Sequence, residues 1–448
     1  MAASPTSSGR GDNRPLRVGI AGLGTVGSGV VKILLENAGL IRRRVGVPIE
    51  LVRVADLDVT RDRGITLPPG VLVNDAKQVL SDPAVDIVVE LVGGYDFAKR
   101  LILDAIAAGK SVVTANKALL ALHGEEIFAA ASRKGIDLGF EASVGGGIPV
   151  IHALKEGLAA NSIQSIYGII NGTSNYILSR MTNEGKGFTE TLVEAQKAGY
   201  AEADPTFDVA GIDSAHKLAI LVNLGFGTPV NFKDLYTEGI THITEHDIAY
   251  AREFDYTIKL LGIAKLVEGD VEARVHPTML GAESPLAKIE GVYNAIQLIG
   301  DAVGDVVLSG RGAGDLAAGS AVVSDIIAGA RNLLKGGAGR VPPASFQPEE
   351  RRPLRLRPME EIRSLYYLRF MVIDRPGVLA QIAGELGRYG ISISSMLQKG
   401  RREGQTVPIV IKTHTARERD VQTALSQINR MSFMSEPTTL IRIEGKDE

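Results

Sequence analysis

Residues 16–27 read LRVGIAGLGTVG, a short apolar run that ends in glycines, and from Thr25 to Glu36 apolar residues recur at helical spacing. Strand, glycine turn and helix in that order decide the fold of the first part of the chain. Gly22, Gly24 and Gly27 complete a GxGxxG pattern, with Thr25 and Val26 between the last two glycines. Gly22 permits a tight turn, Gly24 lets backbone approach a pyrophosphate, and Gly27 allows close packing of helix on strand. The helix N-terminus adds free N–H groups and positive partial charge, so nucleotide binding is expected at this turn. A glycine-rich turn without ligand is the bland alternative.

Working outward, further β-like runs occur at 49–56, 86–92 and 111–114, separated by helix-like segments at 97–108 and 118–134. Such alternation implies an α/β domain of Rossmann type, a parallel sheet wound with helices, over 15–147. The second strand ends in Asp56-Leu57-Asp58, with Arg61 and Arg63 close behind. An acid there favours the ribose diol of NAD, whereas an arginine can hold the 2′-phosphate of NADP. Both cofactors remain open, and both arginines are equally readable as solvated surface charges.

From Ile148 the pattern changes to helices mixed with strands at 163–170, 271–279 and 293–299, read as a second, α+β domain over 148–311. The segment GRGAGDLAAGSAVVSDI, starting at Gly310, is expected to return the chain to the first domain over 312–334. Residues 335–362, rich in Gly, Pro and Arg, read as an extended tether. Beyond it, strand, helix, strand, strand, helix and strand over 363–448 follow the ferredoxin-like order.

The chain has 448 residues, too many for one ordinary core. Its 23% charged residues and formal charge of −3 give no general attraction to nucleic acid or to anionic membranes. No cysteine occurs, which excludes disulfides, thiolate catalysis, iron–sulfur clusters and cysteine-bound zinc together. Residues 1–14 are small and polar and read as a disordered tail, not as a secretion signal. No apolar run is long enough to span a bilayer, so a cytoplasmic protein is expected.

The most chemically loaded stretch is GYAEADPTFDVAGIDSAHKLAI, residues 199–220. Asp204-Pro205 breaks the backbone before a helix, Asp208 can cap that helix, and Asp213 and Lys217 fall four residues apart on one face. An isolated exposed pair of this kind contributes only about 0.3–0.5 kcal/mol and is usually just a solvated salt bridge. Lys217, however, runs into Leu218-Ala219-Ile220-Leu221-Val222, where an ammonium needs partners or a lowered pKa.

GLGTVG, VTANKALL, EASVGGGIP, NGTSNYIL, the 199–220 stretch and GRGAG occur together in this order, and by them the chain resembles the homoserine dehydrogenase family over nearly its whole length. The resemblance implies NAD(P)-dependent interconversion of L-homoserine and L-aspartate 4-semialdehyde, on the route to threonine, methionine and isoleucine. It also implies a homo-oligomer, dimer or tetramer, formed through the middle domain. By motif, Lys217 corresponds to the family's proton-transfer lysine and Lys117 of TANKA to a second active-site lysine. Alcohol oxidation must release the hydroxyl proton as hydride leaves, and a lysine, with an ordinary pKa of about 10.4, serves as base only where burial or a neighbouring cation lowers it. Glu202 is expected to receive the substrate ammonium, Asp213 to bind substrate and orient Lys217, and Asp208 to support them. Asp204 reads as a turn residue. Gly199 and Gly314 are expected against the cofactor, together with Gly22, Gly24, Thr25, Val26, Gly27, Arg61 and Lys117. After Gly314 the chain has AAGSAV, where a stretch closer to PTASAV is expected.

The resemblance further places a monovalent cation, with sodium the expected ion, at Glu141, Val144, Gly146 and Ile148, where a glycine run lets carbonyl oxygens converge. A hinge without an ion is the alternative. The seven histidines show no metal spacing and receive no catalytic role; His216 reads as packed on the apolar side of its helix. The motif Asp374-Arg375-Pro376-Gly377-Val378-Leu379 resembles the start of an ACT domain, which implies an amino-acid effector, threonine by analogy, or a dimerisation module that binds nothing. Aspartate-semialdehyde dehydrogenase, which needs a cysteine nucleophile, is excluded. A nonenzymatic sensor of nucleotide and amino acid is the remaining rival, distinguished by whether homoserine changes the nicotinamide absorbance.

Overall fold

Runs of Val and Ile buried on both faces call for a parallel sheet covered by helices, and six such strands form one. In the computed structural model, which describes residues 14–399 and 404–445, these are β1 (Leu16–Ala21), β2 (Ile49–Ala55), β3 (Leu72–Val73), β4 (Ile87–Glu90), β5 (Ser111–Thr114) and β6 (Leu138–Gly139). The tail expected over 1–14 lies, apart from Arg14, outside the described residues. All pairings are parallel in the order β3-β2-β1-β4-β5-β6, so the strand order reverses between β1 and β4. Ala21 pairs with Ala55 and Glu90, and Glu90 with Thr114, so the carboxyl ends of the central strands line up. Ligands of open α/β sheets bind outside such ends.

This sheet belongs to a unit built from residues up to 160 with 223–229 and 311–352. Val18, Ile20, Ile87 and Val89 pack against Val30, Val31 and Leu34 of the helix Thr25–Glu36 and against Val322, Val323 and Ile326 of the helix Asp315–Lys335. These two helices touch backbone to backbone. A Cβ on Gly319 would stand 2.8 Å from the Gly29 carbonyl carbon, and one on Gly29 only 2.1 Å from the Asp315 oxygen. The glycine of AAGSAV, unexpected from the resemblance, therefore accommodates the crossing at Gly29.

The second unit comprises 161–222, 230–310 and 353 onward. Its strands are β7 (Ile163–Ile169), β8 (Tyr236–Thr237), β9 (Tyr256–Val267), β10 (Asp270–Gly281), β11 (Tyr293–Gly300), β12 (Gly304–Arg311), β13 (Arg363–Ile373), β14 (Ile393–Gln398), β15 (Thr406–Thr413), β16 (Ala416–Arg417) and β17 (Thr439–Glu444). Glu268 and Gly269, both at positive φ (54° and 87°), form the two-residue turn of the long β9–β10 hairpin, as a primed turn requires. From β13 onward the module is ferredoxin-like, with the helices Val378–Arg388 and Glu418–Ile428 burying Ile382, Leu386, Val421 and Leu425 against Tyr366, Leu368 and Phe370.

That module is not a separate body on a free tether. β17 pairs in parallel with β10 at Thr278–Arg442, Met279–Ile443 and Leu280–Glu444, so one sheet runs β12-β11-β7-β9-β10-β17-β13-β15-β14. The end of the segment read as a tether is fastened to the same sheet: Val271 N donates to Arg355 O at 2.9 Å and Arg357 N to Val271 O at 2.8 Å. Pairing between strands some 160 residues apart is set by tertiary assembly and has no local signature.

Candidate active site

In the first unit the three glycines of the turn do different work. At Gly22, φ is 104° and a Cβ would lie 2.4 Å from Leu91 O; at Gly27 it would lie 2.1 Å from Gly22 O. Gly24 is open, with nothing within 4 Å of the added Cβ. The helix starts at Thr25 with no side-chain cap on its first amides, which leaves Thr25 and Val26 at an anion-receptive end.

The acids that follow β2 are already engaged. Asp56 Oδ2 accepts from Leu23 N at 2.8 Å, and its Oδ1 pairs with Arg63 at 3.0 Å. Arg63 also donates to Leu23 O at 2.7 Å, which ties the glycine turn down. Asp58 Oδ1 accepts from Thr60 Oγ1, Thr60 N and Arg61 N, and these hydrogen bonds, led by that of the Thr60 hydroxyl, lower its carboxyl pKa. The Arg61 side chain is exposed, and among the described residues no carboxylate pairs with it.

A second set of polar groups gathers at the ends of β4 and β5. Glu90, fully buried, accepts from Thr114 Oγ1 at 2.6 Å and from the amides of Val92 and Gly93. Burial pushes its carboxyl up, and those hydrogen bonds, Thr114's foremost, pull it back. Asn116 N donates to Thr114 Oγ1, Asn116 Nδ2 to Gly94 O, and Asn116 Oδ1 caps the helix Lys117–Lys134 at Leu119 N. Lys117 is therefore the half-buried first residue of a helix whose start is braced by Glu90. Gly314, at φ 120° and ψ 155°, precedes the helix Asp315–Lys335 in a conformation open essentially to glycine alone.

The second unit holds the other predicted cluster. Asn171 Oδ1 caps the helix Gly172–Glu184 at Ser174 N, and its Nδ2 bridges Asp208 Oδ1 at 2.7 Å and Asp213 Oδ2 at 2.9 Å. Lys217 Nζ donates to Asp213 Oδ2 at 2.7 Å and to Ile170 O at 2.6 Å. Asp213 is 2% and Lys217 8% exposed, so the pair is buried and is not the solvated salt bridge of the bland reading. Removing one partner of such a pair leaves an uncompensated charge, at a cost of about 3–5 kcal/mol.

Asp208 does not directly precede the helix Ile212–Phe226. It sits inside the separate turn Thr206–Val209, because Gly211 at φ 82° breaks the chain between them. Asp204 Oδ1 accepts from Thr206 N at 3.1 Å, a turn role. Glu202 is exposed on the loop after the helix Phe188–Lys197, where its carbonyl accepts from Gln196 Nε2, and Gly199 (φ 75°) opens that loop. His216 is buried between the rings of Phe207 and Phe232, at 5.3 and 4.0 Å. Lys217, Asp213 and Asp208 are thus brought together, Glu202 and Gly199 stand on the neighbouring exposed loop, and the predicted nucleotide residues other than Gly199 belong to the first unit.

The glycine run after Glu141 is buried at Val144, Gly146 and Ile148. The carbonyls of Glu141 and Ile148 accept from Val144 N and Val150 N, while among the described residues those of Val144 and Gly146 accept no hydrogen bond. Buried carbonyls without donors fit an oxygen-liganded cation. The Glu141 side chain faces elsewhere, accepting from Ile151 N and His152 N, and Asp325 accepts from Glu141 N and His152 Nε2. Burial, then the Asp325 charge, raises the Glu141 carboxyl pKa to about 7; the Asp325 hydrogen bond raises that of His152. His152, given no role from spacing, is thus part of a carboxylate cluster assembled from residues more than 170 apart.

Sequence reasoning passed over Glu90, Asn171 and Asp325. The only signals were a lone acid ending an apolar run and the Asn of NGTSNYIL, neither specific without the fold.

Three comparisons bear on this geometry. The profile of the homoserine dehydrogenase NAD-binding domain matches residues 22–141, that of homoserine dehydrogenase matches 149–327, and that of the ACT domain matches 366–432. The homoserine dehydrogenase of Neisseria gonorrhoeae is 46% identical over 432 residues, covering 96% of this chain and 99% of that protein. That of Pseudomonas aeruginosa is 46% identical over 434 residues, with the same coverage of each chain. The crystal structure of a homoserine dehydrogenase from Thiobacillus denitrificans has a TM-score of 0.91 at 46% identity, covering 96% of this chain and 98% of that one. A hyperthermophilic archaeal homoserine dehydrogenase in complex with NADPH has a TM-score of 0.60 at 28% identity, covering 70% of this chain and 97% of that one.

Proposed function

The chain belongs to the homoserine dehydrogenase family and is an NAD(P)-dependent oxidoreductase of a CH–OH group, and from that premise we propose that NADP is its preferred cofactor and that Lys217 carries the proton between L-homoserine and L-aspartate 4-semialdehyde. The observation that carries this reading is the buried Lys217 amine held between Asp213 Oδ2 and Ile170 O.

Two of the lysine's hydrogen bonds fix its position; as the neutral amine it takes the hydroxyl proton in oxidation, and as the ammonium beside Asp213 it gives a proton to the carbonyl oxygen in reduction. The nicotinamide, when bound, supplies hydride acceptance and donation. Asp213 and, through Asn171, Asp208 hold the lysine and offer acceptors to the substrate. Glu202 is an exposed carboxylate suited to the substrate ammonium. Lys117, at the start of its helix, is the second cationic group proposed for the site.

Preference for NADP follows from Asp56 and Asp58, whose carboxylates are occupied by Leu23 N, Arg63 and Thr60, and from the exposed Arg61 side chain, which pairs with no carboxylate among the described residues and suits a 2′-phosphate. A monovalent cation at the Val144 and Gly146 carbonyls would brace the glycine run. In the terminal module, Asp374, Arg375, Gly377 and Gln398 line a cavity of about 380 Å³ at the start of the helix Val378–Arg388. An amino-acid carboxylate suits that helix end, and threonine is the effector proposed.

Mixing the protein with homoserine and either cofactor, and following the nicotinamide absorbance, tests this. NADP should be reduced with the higher kcat/KM, and Arg61→Ala should lower that value about tenfold while sparing NAD. Faster turnover with NAD would overturn the cofactor reading, and reduction of neither would overturn the substrate. Calorimetric titration with threonine should give heat and inhibition together.

A further inference from the structure

A run of buried and half-buried contacts joins the terminal module to the Lys217 cluster within one unit. Arg442 of β17, 2% exposed, is clamped by Glu418 through Nε at 2.9 Å and Nη2 at 2.6 Å. Its Nη1 reaches out of the module to Glu238 Oε2 at 2.8 Å. Glu238 also receives Tyr236 Oη at 2.7 Å and His242 Nε2 at 3.1 Å. Burial acts against the charge, yet His242, Arg442 and Tyr236 hold the Glu238 carboxyl down to about 2, so it is ionised throughout the working range.

The backbone after Glu238 leans directly on the substrate segment. Glu238 N is pinned to Val275 O of β10 at 2.8 Å, and Ile240 N donates to Val209 O at 2.9 Å. Gly239 passes so close that a Cβ would lie 2.2 Å from Val209 O and 2.6 Å from Ala210 Cα. Val209 follows Asp208, whose carboxylate meets Asn171; Asn171 in turn meets Asp213, and Asp213 accepts from Lys217. Each step is a hydrogen bond or a backbone contact between packed elements, the kind of contiguous structure that can carry coupling.

We propose that Glu238, held by Arg442, is a positioning residue for the Asp208–Asp213–Lys217 cluster, so that the terminal module acts on the active site through β17. This rests on the reading of Lys217 as proton carrier. The module's last strand would then set the geometry of the substrate segment, and an effector that shifts β17 would be felt at Asp208.

The test uses the full chain and the variants Glu238→Gln, Glu238→Asp, Asp208→Asn and Lys217→Ala, with thermal melts and NADPH titrations for each. Glu238 is preferred to Arg442, whose removal would strand the buried Glu418. Glu238→Gln should keep NADPH affinity and lower kcat/KM for homoserine about tenfold, with Glu238→Asp recovering part of it. Combined with Asp208→Asn, the losses should be less than additive, because both act through one segment. A folded Glu238→Gln enzyme with unchanged kinetics, or strictly additive losses, would overturn the positioning role. A variant that does not fold passes the decision to Glu238→Asp, whose shorter side chain must then change kcat/KM if the role is real. Lys217→Ala separates the two readings: if it retains turnover, the assignment of Lys217 falls, whatever Glu238 does.

Discussion

Two buried lysines show how much the same residue type depends on its partners. Lys217 meets a carboxylate at 2.7 Å, whereas Lys259 is held by neutral groups, Asn175 Oδ1 at 3.2 Å and Ile289 O. Burial, opposed by the Glu290 charge, lowers the Lys259 pKa to about 8. An unfolded lysine titrates near 10.4, so between pH 8 and that value the unfolded chain binds a proton that the folded chain lacks. Stability should therefore rise with pH across that window, by on the order of 3 kcal/mol at most. Below about pH 8 the cost of the buried charge is present in full. Urea unfolding from pH 7 to 10 should show the rise, and Lys259→Met should flatten it; an equal slope in the variant would assign the effect elsewhere.

At the scale of elements, the glycines sort by what their missing Cβ would meet. Gly319 and Gly29 let two helices cross in backbone contact, so Gly319→Val should cost about 1–3 kcal/mol and lower the melting temperature. Gly24 has φ −73° and open space around it, so Gly24→Ala should keep the melting temperature and weaken NADPH binding instead. Fluorescence titration and thermal melts of the pair would read opposite patterns; a melting loss at Gly24 would show that its role is structural. Element identity was legible in the sequence because it is periodic: β1, β5 and β15 carry unbroken apolar or alternating runs bounded by turn residues. The break at Gly211 was not, since GIDSAHKL continues a helical pattern through the glycine; its positive φ and the close approach of Thr237 and Val275, each 3.2 Å from an added Cβ, belong to the folded chain.

For the molecule as a whole, the continuous sheet of the second unit has a direct consequence. Ending the chain at Arg352 would strip β17 from β10, expose a long edge strand, and leave Glu238 without Arg442. Such a truncation should aggregate or melt well below the full chain, as size-exclusion chromatography and circular dichroism would show. A monodisperse, active fragment would mean that the terminal module is dispensable to the catalytic fold. Among the described residues no helix is long and apolar enough to cross a membrane.

The wound parallel sheet, the ferredoxin-like module and the family were readable in the order of residues alone, because periodicity, glycine turns and ordered motifs are local features of the chain. It also marked Lys217 and Asp213, whose spacing of four places them on one helical face. Only the tertiary structure decided that this pair is buried, that Asn171 links it to Asp208, that Asp56 is consumed by Leu23 and Arg63, and that Arg442 reaches Glu238. Burial and the pairing of polar groups depend on which distant segments pack together, and that is a property of the assembled chain.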